Sequence, residues 1–392
     1  MSAAPVIGLG CRLNIAEGER IRELLAGRSD HVVVNSCSVT SEAVRHTRRA
    51  IRRARRDHPR ARLLVTGCAA ETEREALAAM PEVDGLIPNA LKLAPASYGL
   101  VGAPRGPGAA PARTRGFVAV QNGCDHACTF CIIPMGRGDS RSSTIDAVLR
   151  DIEAQLARGV AEIVLTGVDV TAWGTDLHGT PRLGALVAAI LDRFPGLARL
   201  RLSSLDGAEI DPQLFELLAG EPRVMPHLHL SLQHGHDLIL KRMKRRHSRA
   251  QAFALVERLR ARRPDIAIGA DLIAGFPTEG EEHHAANLSL VRDLGVVHGH
   301  VFPFSPRHGT PAARMPQLAG ETIRRRATEL RSAIEVTRGA WLASLVGKRL
   351  RVLAERGGTG YAENYARVAT PAHSPGALAT IIPATLEGEL LK

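Results

Sequence analysis

F-V-A-V-Q-N-G-C-D-H-A-C-T-F-C, from Phe117 to Cys131, is an apolar, strand-like run that ends in a loop carrying three cysteines. Similar short apolar runs recur near Glu162 to Thr166, Arg199 to Ser203, His227 to Leu232, Ile266 to Ile273 and Val297 to Phe302, with helical patterning between them. Counting the first, these are six βα units in series. That pattern fits a partial β/α barrel better than an open doubly wound sheet. Barrels place their chemistry at the carboxyl ends of strands, where this cysteine loop begins.

Upstream, strand-like stretches at Val6 to Leu9, His31 to Asn35, Arg62 to Thr66 and Val83 to Ile87 alternate with helical ones at Ile15 to Ala26, Ser41 to Asp57 and Glu71 to Met80. This reads as a parallel α/β sheet domain. The stretch from Ala94 to Arg115 is rich in Pro, Gly and Ala and reads as a linker. After a long helical segment from Gly320 to Val346, short strands are expected at Arg349 to Glu355, Tyr361 to Ala369, Ala377 to Ile382 and Thr385 to Leu390. The expected organisation is therefore α/β: a sheet domain over 1–95, a linker over 96–112, a partial (β/α)6 barrel over 113–338 and a small β-barrel over 339–392.

The chain has 392 residues, 45% of them hydrophobic, which suits a folded protein of more than one domain. No apolar run of 18 or more occurs and the start lacks a secretory pattern, so a cytoplasmic location without membrane attachment is expected. The formal net charge of +11 points to a polyanionic partner. Only five residues are lysine, so the positive charge is mostly arginine, whose planar fork suits phosphate.

Six cysteines in a chain of this length argue against a disulfide scaffold and for metal or redox chemistry. Cys124, Cys128 and Cys131 are spaced C-x3-C-x2-C. Three thiolates on a short loop wrap three corners of a cubane iron–sulfur cluster and leave one iron open. An open iron in a barrel mouth binds a ligand directly, as S-adenosylmethionine does in radical enzymes. The alternative is a zinc loop with His126 as fourth ligand. Cys11, Cys37 and Cys68 are far apart in sequence, yet each follows an expected parallel strand within about two residues. They converge at one sheet edge as ligands of a second cluster, or else they are independent buried cysteines.

The two triads, in G-C-R-L-N, N-S-C-S-V-T, V-T-G-C and N-G-C-D-H-A-C-T-F-C-I-I-P-M-G-R-G-D-S-R-S, resemble those of the radical S-adenosylmethionine methylthiotransferase family, and the likeness runs over nearly the whole chain. G-C-R-L-N, L-T-G-V-D-V-T at Leu165 to Thr171 and F-P-F-S-P-R-H-G-T-P-A-A at Phe302 to Ala313 are most similar to its threonylcarbamoyladenosine type. The closing β-domain resembles a short TRAM module. The other substrate classes in the family are isopentenyladenosine in tRNA and an aspartate of a ribosomal protein.

The resemblance implies two [4Fe-4S] clusters and S-adenosyl-L-methionine. The cluster of Cys124, Cys128 and Cys131 cleaves the cofactor, and the radical formed takes hydrogen from carbon 2 of the adenine. The auxiliary cluster of Cys11, Cys37 and Cys68 supplies the methylthio group. The substrate implied is tRNA carrying threonylcarbamoyladenosine. An electron donor such as flavodoxin or ferredoxin and a sulfur donor are further partners. Phe130, Thr166, Gly167, Ser203, Ser204, Gln233 and Asp271 are expected to bind the cofactor, the last six as strand-end residues. Three basic groups are expected to meet RNA: Arg45, Arg48, Arg49, Arg52, Arg53 and Arg56 on one helix face, Lys241 to Arg249, and Arg324 to Arg326. Aromatic residues are 3% of the chain, so phosphate attraction rather than base stacking should dominate binding. A zinc-stabilised RNA-binding protein without catalysis is the contrasting reading.

Overall fold

The computed structural model describes residues 5–100 and 113–392. Strands β1 (Val6–Gly8), β2 (His31–Ser36), β3 (Arg62–Gly67) and β4 (Gly85–Leu86) form a parallel sheet in sequence order. Runs such as V-V-V and L-L-V are apolar throughout because both faces are covered. Val33 and Leu64 pack with Ile21 and Leu25 on the side of α1 (Arg12–Leu24). Val32, Val34, Leu63 and Val65 pack on Ile51 and Ala54 of α2 (Ser41–Asp57). α1 starts three residues earlier than the apolar pattern suggests, directly after Cys11. Two short helices, α3 (Cys68–Thr72) and α4 (Arg74–Ala78), follow β3. Most of the expected linker, residues 101–112, lies outside the described residues. Its first part is a helical turn at Pro95–Tyr98, with Tyr98 buried and donating to the Lys92 carbonyl at 2.7 Å.

The six expected barrel strands are present. β5 (Arg115–Ala119) is followed by the short pair β6 (Gln121–Asn122) and β7 (Arg141–Ser142), with α5 (Ile133–Arg137) between them. Then come α6 (Ile145–Ala157), β8 (Glu162–Thr166), α7 (Leu183–Arg193), β9 (Leu200–Leu202), α8 (Pro212–Gly220), β10 (His227–Gln233), α9 (Asp237–Arg242), α10 (Arg249–Arg262), β11 (Ala267–Ala274), α11 (Glu281–Asp293), β12 (Val296–Pro303) and α12 (Gly320–Ala343). β5, β8 and β9 pair in parallel, as do β10, β11 and β12, and bridges at Leu200–Val224 and Leu205–Leu230 link the two groups.

Val118, Ile163, Leu165, Leu200, Leu202, Leu228, Leu230 and Ile268 point outward into the main core with the helices. Their neighbours in the strands point inward, since side chains alternate. On that inner side, Ile15 and Ala16 of α1 pack against Phe117, Ala119 and Val164. A helix of the first sheet domain thus lies on the inner wall of the barrel.

The chain ends in one six-stranded sheet, ordered β16-β13-β14-β15-β18-β17, from β13 (Leu350–Ala354), β14 (Thr359–Ala362), β15 (Arg367–Ala369), β16 (Leu378–Ile381), β17 (Leu386–Glu387) and β18 (Leu390–Leu391). The expected strand Tyr361 to Ala369 is instead two strands with a turn between them. Arg199 and Arg201 at β9 donate to the carbonyls of Tyr361, Ala362 and Glu363 and hold that turn on the barrel floor. The expected strand Thr385 to Leu390 is likewise a tight pair, β17 and β18.

Candidate active site at the junction of sheet and barrel

In the first sheet, Gly8 pairs with Asn35, Asn35 with Thr66, and Ser36 with Gly67. The strands therefore end flush, and Cys11, Cys37 and Cys68 follow along one edge. Asn14 ties the loops together, its Nδ2 donating to the Leu9 carbonyl at 2.6 Å and the Ser36 carbonyl at 3.0 Å. Gly10 has φ 87°, and a Cβ there would lie 2.7 Å from Cys37 Sγ, so only glycine lets the Cys11 loop approach. Cys37 and Cys68 are buried, Cys11 exposed. Burial, with the neighbouring Cys68 and Cys11, pushes the Cys37 thiol up to about 11.

The second triad follows β6. Thr129, inside the C-x3-C-x2-C loop, is pinned by its N–H to the Met243 carbonyl at 3.1 Å and by its hydroxyl to the Arg242 carbonyl at 2.9 Å. Burial pushes Cys124 up to about 12 and Cys131 up to about 11. Arg245 Nη1 stands 3.6 Å from Cys128 Sγ, while its Nη2 donates to Asp206 at 2.9 Å and to the Ser231 carbonyl at 2.8 Å. His126 Nε2 lies 2.6 Å from an Asp169 oxygen, and the bonds to Asp169 and Glu209 raise its pKa to about 10.

The donor chemistry of both triads fits an iron–sulfur cluster. Desolvated thiols with raised pKa values stay protonated unless a cation compensates the thiolate, which a bound metal does. Among the described residues, ligand atoms of Cys124, His126 and Asp169 lie within 4.8 Å of one another, so His126, the fourth ligand of the alternative zinc loop, stands beside Cys124. Its ring is paired there with the Asp169 and Glu209 carboxylates.

The two triads meet. α5, two residues past Cys131, packs on α3, which begins with Cys68, and a Cβ on Gly136 would lie 3.2 Å from Cys68 Cβ. Asn89 Nδ2 donates to the Gly136 carbonyl at 2.6 Å. Next to it, Arg137 of the barrel reaches Glu17 of α1 with both ends of its guanidinium, at 2.9 and 3.2 Å, and donates to Asn14 at 2.6 Å and Asn122 at 2.8 Å. Lys92 closes the group on Glu17 at 2.5 Å. Burial alone would raise the Glu17 carboxyl, but Lys92 and Arg137 outweigh it and hold it below its usual value. The cysteine edge of the sheet is thereby locked to the cysteine loop of the barrel.

Residues 118–291 match the Radical SAM superfamily model, and residues 4–88 match one described as Uncharacterized protein family UPF0004. A threonylcarbamoyladenosine tRNA methylthiotransferase MtaB of Rickettsia prowazekii is 41% identical over 92% of this chain and 89% of its own. The chain belongs to the radical S-adenosylmethionine methylthiotransferase family. A tRNA-2-methylthio-N(6)-dimethylallyladenosine synthase of Cereibacter sphaeroides is 33% identical over 89% of this chain and 86% of its own. In fold, the radical S-adenosylmethionine methyltransferase TsrM of Kitasatospora setae superposes with a TM-score of 0.54 at 18% identity, covering 75% of this chain and 68% of that one. Membership implies a [4Fe-4S] cluster and S-adenosylmethionine. No helix among the described residues is long and apolar enough to cross a membrane.

In this methylthiotransferase, Thr166, Gly167, Ser203, Ser204 and Gln233 end or follow barrel strands on the side of the cysteine loop. Ser203 Oγ is buried without a protein partner, as a group awaiting a ligand would be. Gly167 packs against Gln121, whose Oε1 accepts from the N–H groups of Val168 and Asp169. Asp271 is not at a strand end: it sits within β11, where Ser204 donates to it at 3.1 Å and His229 and His300 flank its other oxygen at 3.1 and 3.0 Å. Phe130 packs into an apolar cluster with Ile239, Met243, Ile273, Phe276 and Phe304.

The inner wall went unread in the sequence. Glu162 binds Arg199 at 2.8 Å and Arg201 at 2.9 Å, all three buried, and His227, His229, His298 and His300 line β10 and β12. The signal was there in R-L-R, H-L-H and H-G-H, where polar residues alternate in strands expected to be covered on both faces.

Two of the three expected basic patches are partly neutralised by acidic neighbours, although Lys241, Lys244 and Arg324 stay exposed without an ion partner among the described residues and only Arg326 is buried. Arg245 and Arg246 bind Asp206, Arg246 also binds Glu209, and Arg249 meets Asp293. Arg325 and Arg326 are paired with Glu281, Glu329 and Glu279. On α2, Arg45 and Arg49 share Glu42, whereas Arg53 and Arg56 are exposed without an ion partner among the described residues.

Proposed function

We propose that this chain methylthiolates carbon 2 of N6-threonylcarbamoyladenosine at position 37 of tRNA, giving 2-methylthio-N6-threonylcarbamoyladenosine. The observation that carries the reading is the approach of the two cysteine loops at the Arg137–Glu17 junction, where Gly136, just past the Cys131 loop, lies against Cys68. The substrate choice is supported by the relative of that name at 41% identity, against 33% for the dimethylallyladenosine synthase.

Cys124, Cys128 and Cys131 would hold the cluster that binds S-adenosylmethionine, and Cys11, Cys37 and Cys68 an auxiliary [4Fe-4S] cluster. When bound, these groups supply the radical that removes the carbon 2 hydrogen and the methylthio group that replaces it. Arg245 offsets thiolate charge beside Cys128. Arg137, Glu17 and Lys92 fix the distance between the triads. The inner helix α1 covers part of the barrel's inner wall through Ile15 and Ala16. Residues 1–95 would act as the sulfur-donating domain, 96–112 as linker, 113–338 as the radical barrel and 339–392 as a TRAM-like module. A flavodoxin or ferredoxin would feed electrons, a sulfur donor would restore the auxiliary site, and the enzyme would work in the cytoplasm.

Nucleoside mass spectrometry of tRNA from a deletion strain and its complemented parent tests this. Loss of 2-methylthio-N6-threonylcarbamoyladenosine, restored by the gene, is the expected result. Loss of the methylthiolated isopentenyl nucleoside instead would move the enzyme to the dimethylallyl class.

A further inference from the structure

Arg12 is the residue between the auxiliary edge and the barrel interior: it directly follows Cys11 and opens α1, the helix on the inner wall. Its side chain reaches the floor, with Cζ 5.8 Å from the ring centroid of Tyr365. The other guanidiniums there are committed. Arg199 and Arg201 hold Glu162 and the turn carbonyls, and Arg115 binds Glu355 at 2.7 Å. Among the described residues Arg12, half-buried, has no carboxylate in ion-pair range and donates no hydrogen bond.

Two further polar groups beside it lack partners. The Tyr365 hydroxyl is buried and unpaired, on a residue 9% exposed. His227 Nδ1 is buried and unpaired as well, in a ring 4.6 Å from that of Tyr365. Tyr365 also adopts φ 67°, a conformation that an aromatic side chain takes only when its surroundings impose it, here with Arg201 stacked 3.7 Å from its ring. Buried polar atoms without partners, beside an unpaired guanidinium, mark a place where a ligand's polar groups would be satisfied.

We infer that Arg12 receives the carboxylate of the substituent on the N6 nitrogen of the target adenine, with the Tyr365 hydroxyl and His227 Nδ1 as partners for its remaining polar atoms. The inference rests on the threonylcarbamoyl reading above and names the residue that makes the choice. A carboxylate meets a guanidinium in a two-bonded, charge-assisted pair. An uncharged isopentenyl group would leave Arg12 desolvated and unpaired, so the same residue selects for one substituent and against the other.

The test is binding of fluorescent anticodon stem-loop RNAs to the reconstituted full-length enzyme, followed by anisotropy. The four loops carry adenosine, threonylcarbamoyladenosine, its carboxyl methyl ester or isopentenyladenosine at the target position. Wild type should prefer the threonylcarbamoyl loop to the adenosine loop by about tenfold or more, and the ester should lose most of that preference. Arg12→Gln should bind all four loops alike, Arg12→Lys should keep part of the preference, and Tyr365→Phe should lower it by a smaller factor. If Arg12→Gln keeps the full wild-type preference for the free carboxylate, the inference fails while the proposed function stands. If wild type itself does not favour the threonylcarbamoyl loop, both fail.

Discussion

Arg137 and Glu17 form a buried two-bonded pair, 2.9 and 3.2 Å, that joins the barrel to the sheet domain at the point where the two cysteine triads face each other. Removing Arg137 leaves Glu17 out of water with Lys92 as its one charged partner, so the loss should approach but not exceed the about 3–5 kcal/mol of a fully uncompensated buried charge. Arg137→Met should therefore lower the urea midpoint sharply and make the junction sensitive to protease. Arg137→Lys should recover only part, because an ammonium cannot serve Glu17, Asn14 and Asn122 together. A midpoint unchanged in both variants would mean that the pair does not hold the domains.

The parallel sheet, the six barrel strands and both cysteine triads were legible in the sequence because each rests on a local signal: apolar runs, helical spacing, and cysteines placed just after strands. Arg137 was not, although it stands in the quoted M-G-R, because nothing local distinguishes it from a surface arginine. Its partners Glu17 and Asn14 are 120 and 123 residues away in sequence. The same limit explains the basic patches. Arg326 reads as one of a run of three, yet it is 3% exposed and bound to Glu279, a pairing made by tertiary packing alone.

Acid should loosen the contact between the barrel and the final sheet. His298 packs half-buried against Trp341 and Tyr365, and desolvation there, opposed by the bond to the Asn364 carbonyl, pushes its pKa down to about 3. Its unfolded value is 6.5, so between these pH values the unfolded chain binds a proton that the folded one does not. The contribution of neutral His298 is complete above 6.5 and is lost as pH falls towards 3. One such group gives a slope of up to about 1.4 kcal/mol per pH unit. Urea unfolding across this range should show a shallower slope in His298→Asn than in wild type. Parallel slopes would mean that His298 is protonated in the folded protein.

Binding of tRNA should depend on salt through the arginines that remain free. Arg53 and Arg56 on α2 are exposed and without ion partners among the described residues, so each can displace a counterion from a phosphate. Each change to Gln should reduce the slope of log K against log salt by about 0.7–0.9. Arg326→Gln should leave that slope alone and lower stability, since its guanidinium serves Glu279 and Glu281. Equal slopes for all three variants and wild type would place the tRNA on another face.

The two triads should be separable by iron content. Wild type, reconstituted with iron and sulfide, should bind about eight irons, and Cys128→Ala and Cys37→Ala about four each. Cys128→Ala should also lose reductive cleavage of S-adenosylmethionine, while Cys37→Ala should keep it and lose only methylthiolation. Gly10→Ala should behave like Cys37→Ala although it removes no ligand. Its methyl group would stand 2.7 Å from Cys37 Sγ on a backbone at φ 87°, so the Cys11 loop would be driven away from its partners. Full iron content in Gly10→Ala would show that the loop yields without cost and that Cys11 does not depend on this close approach.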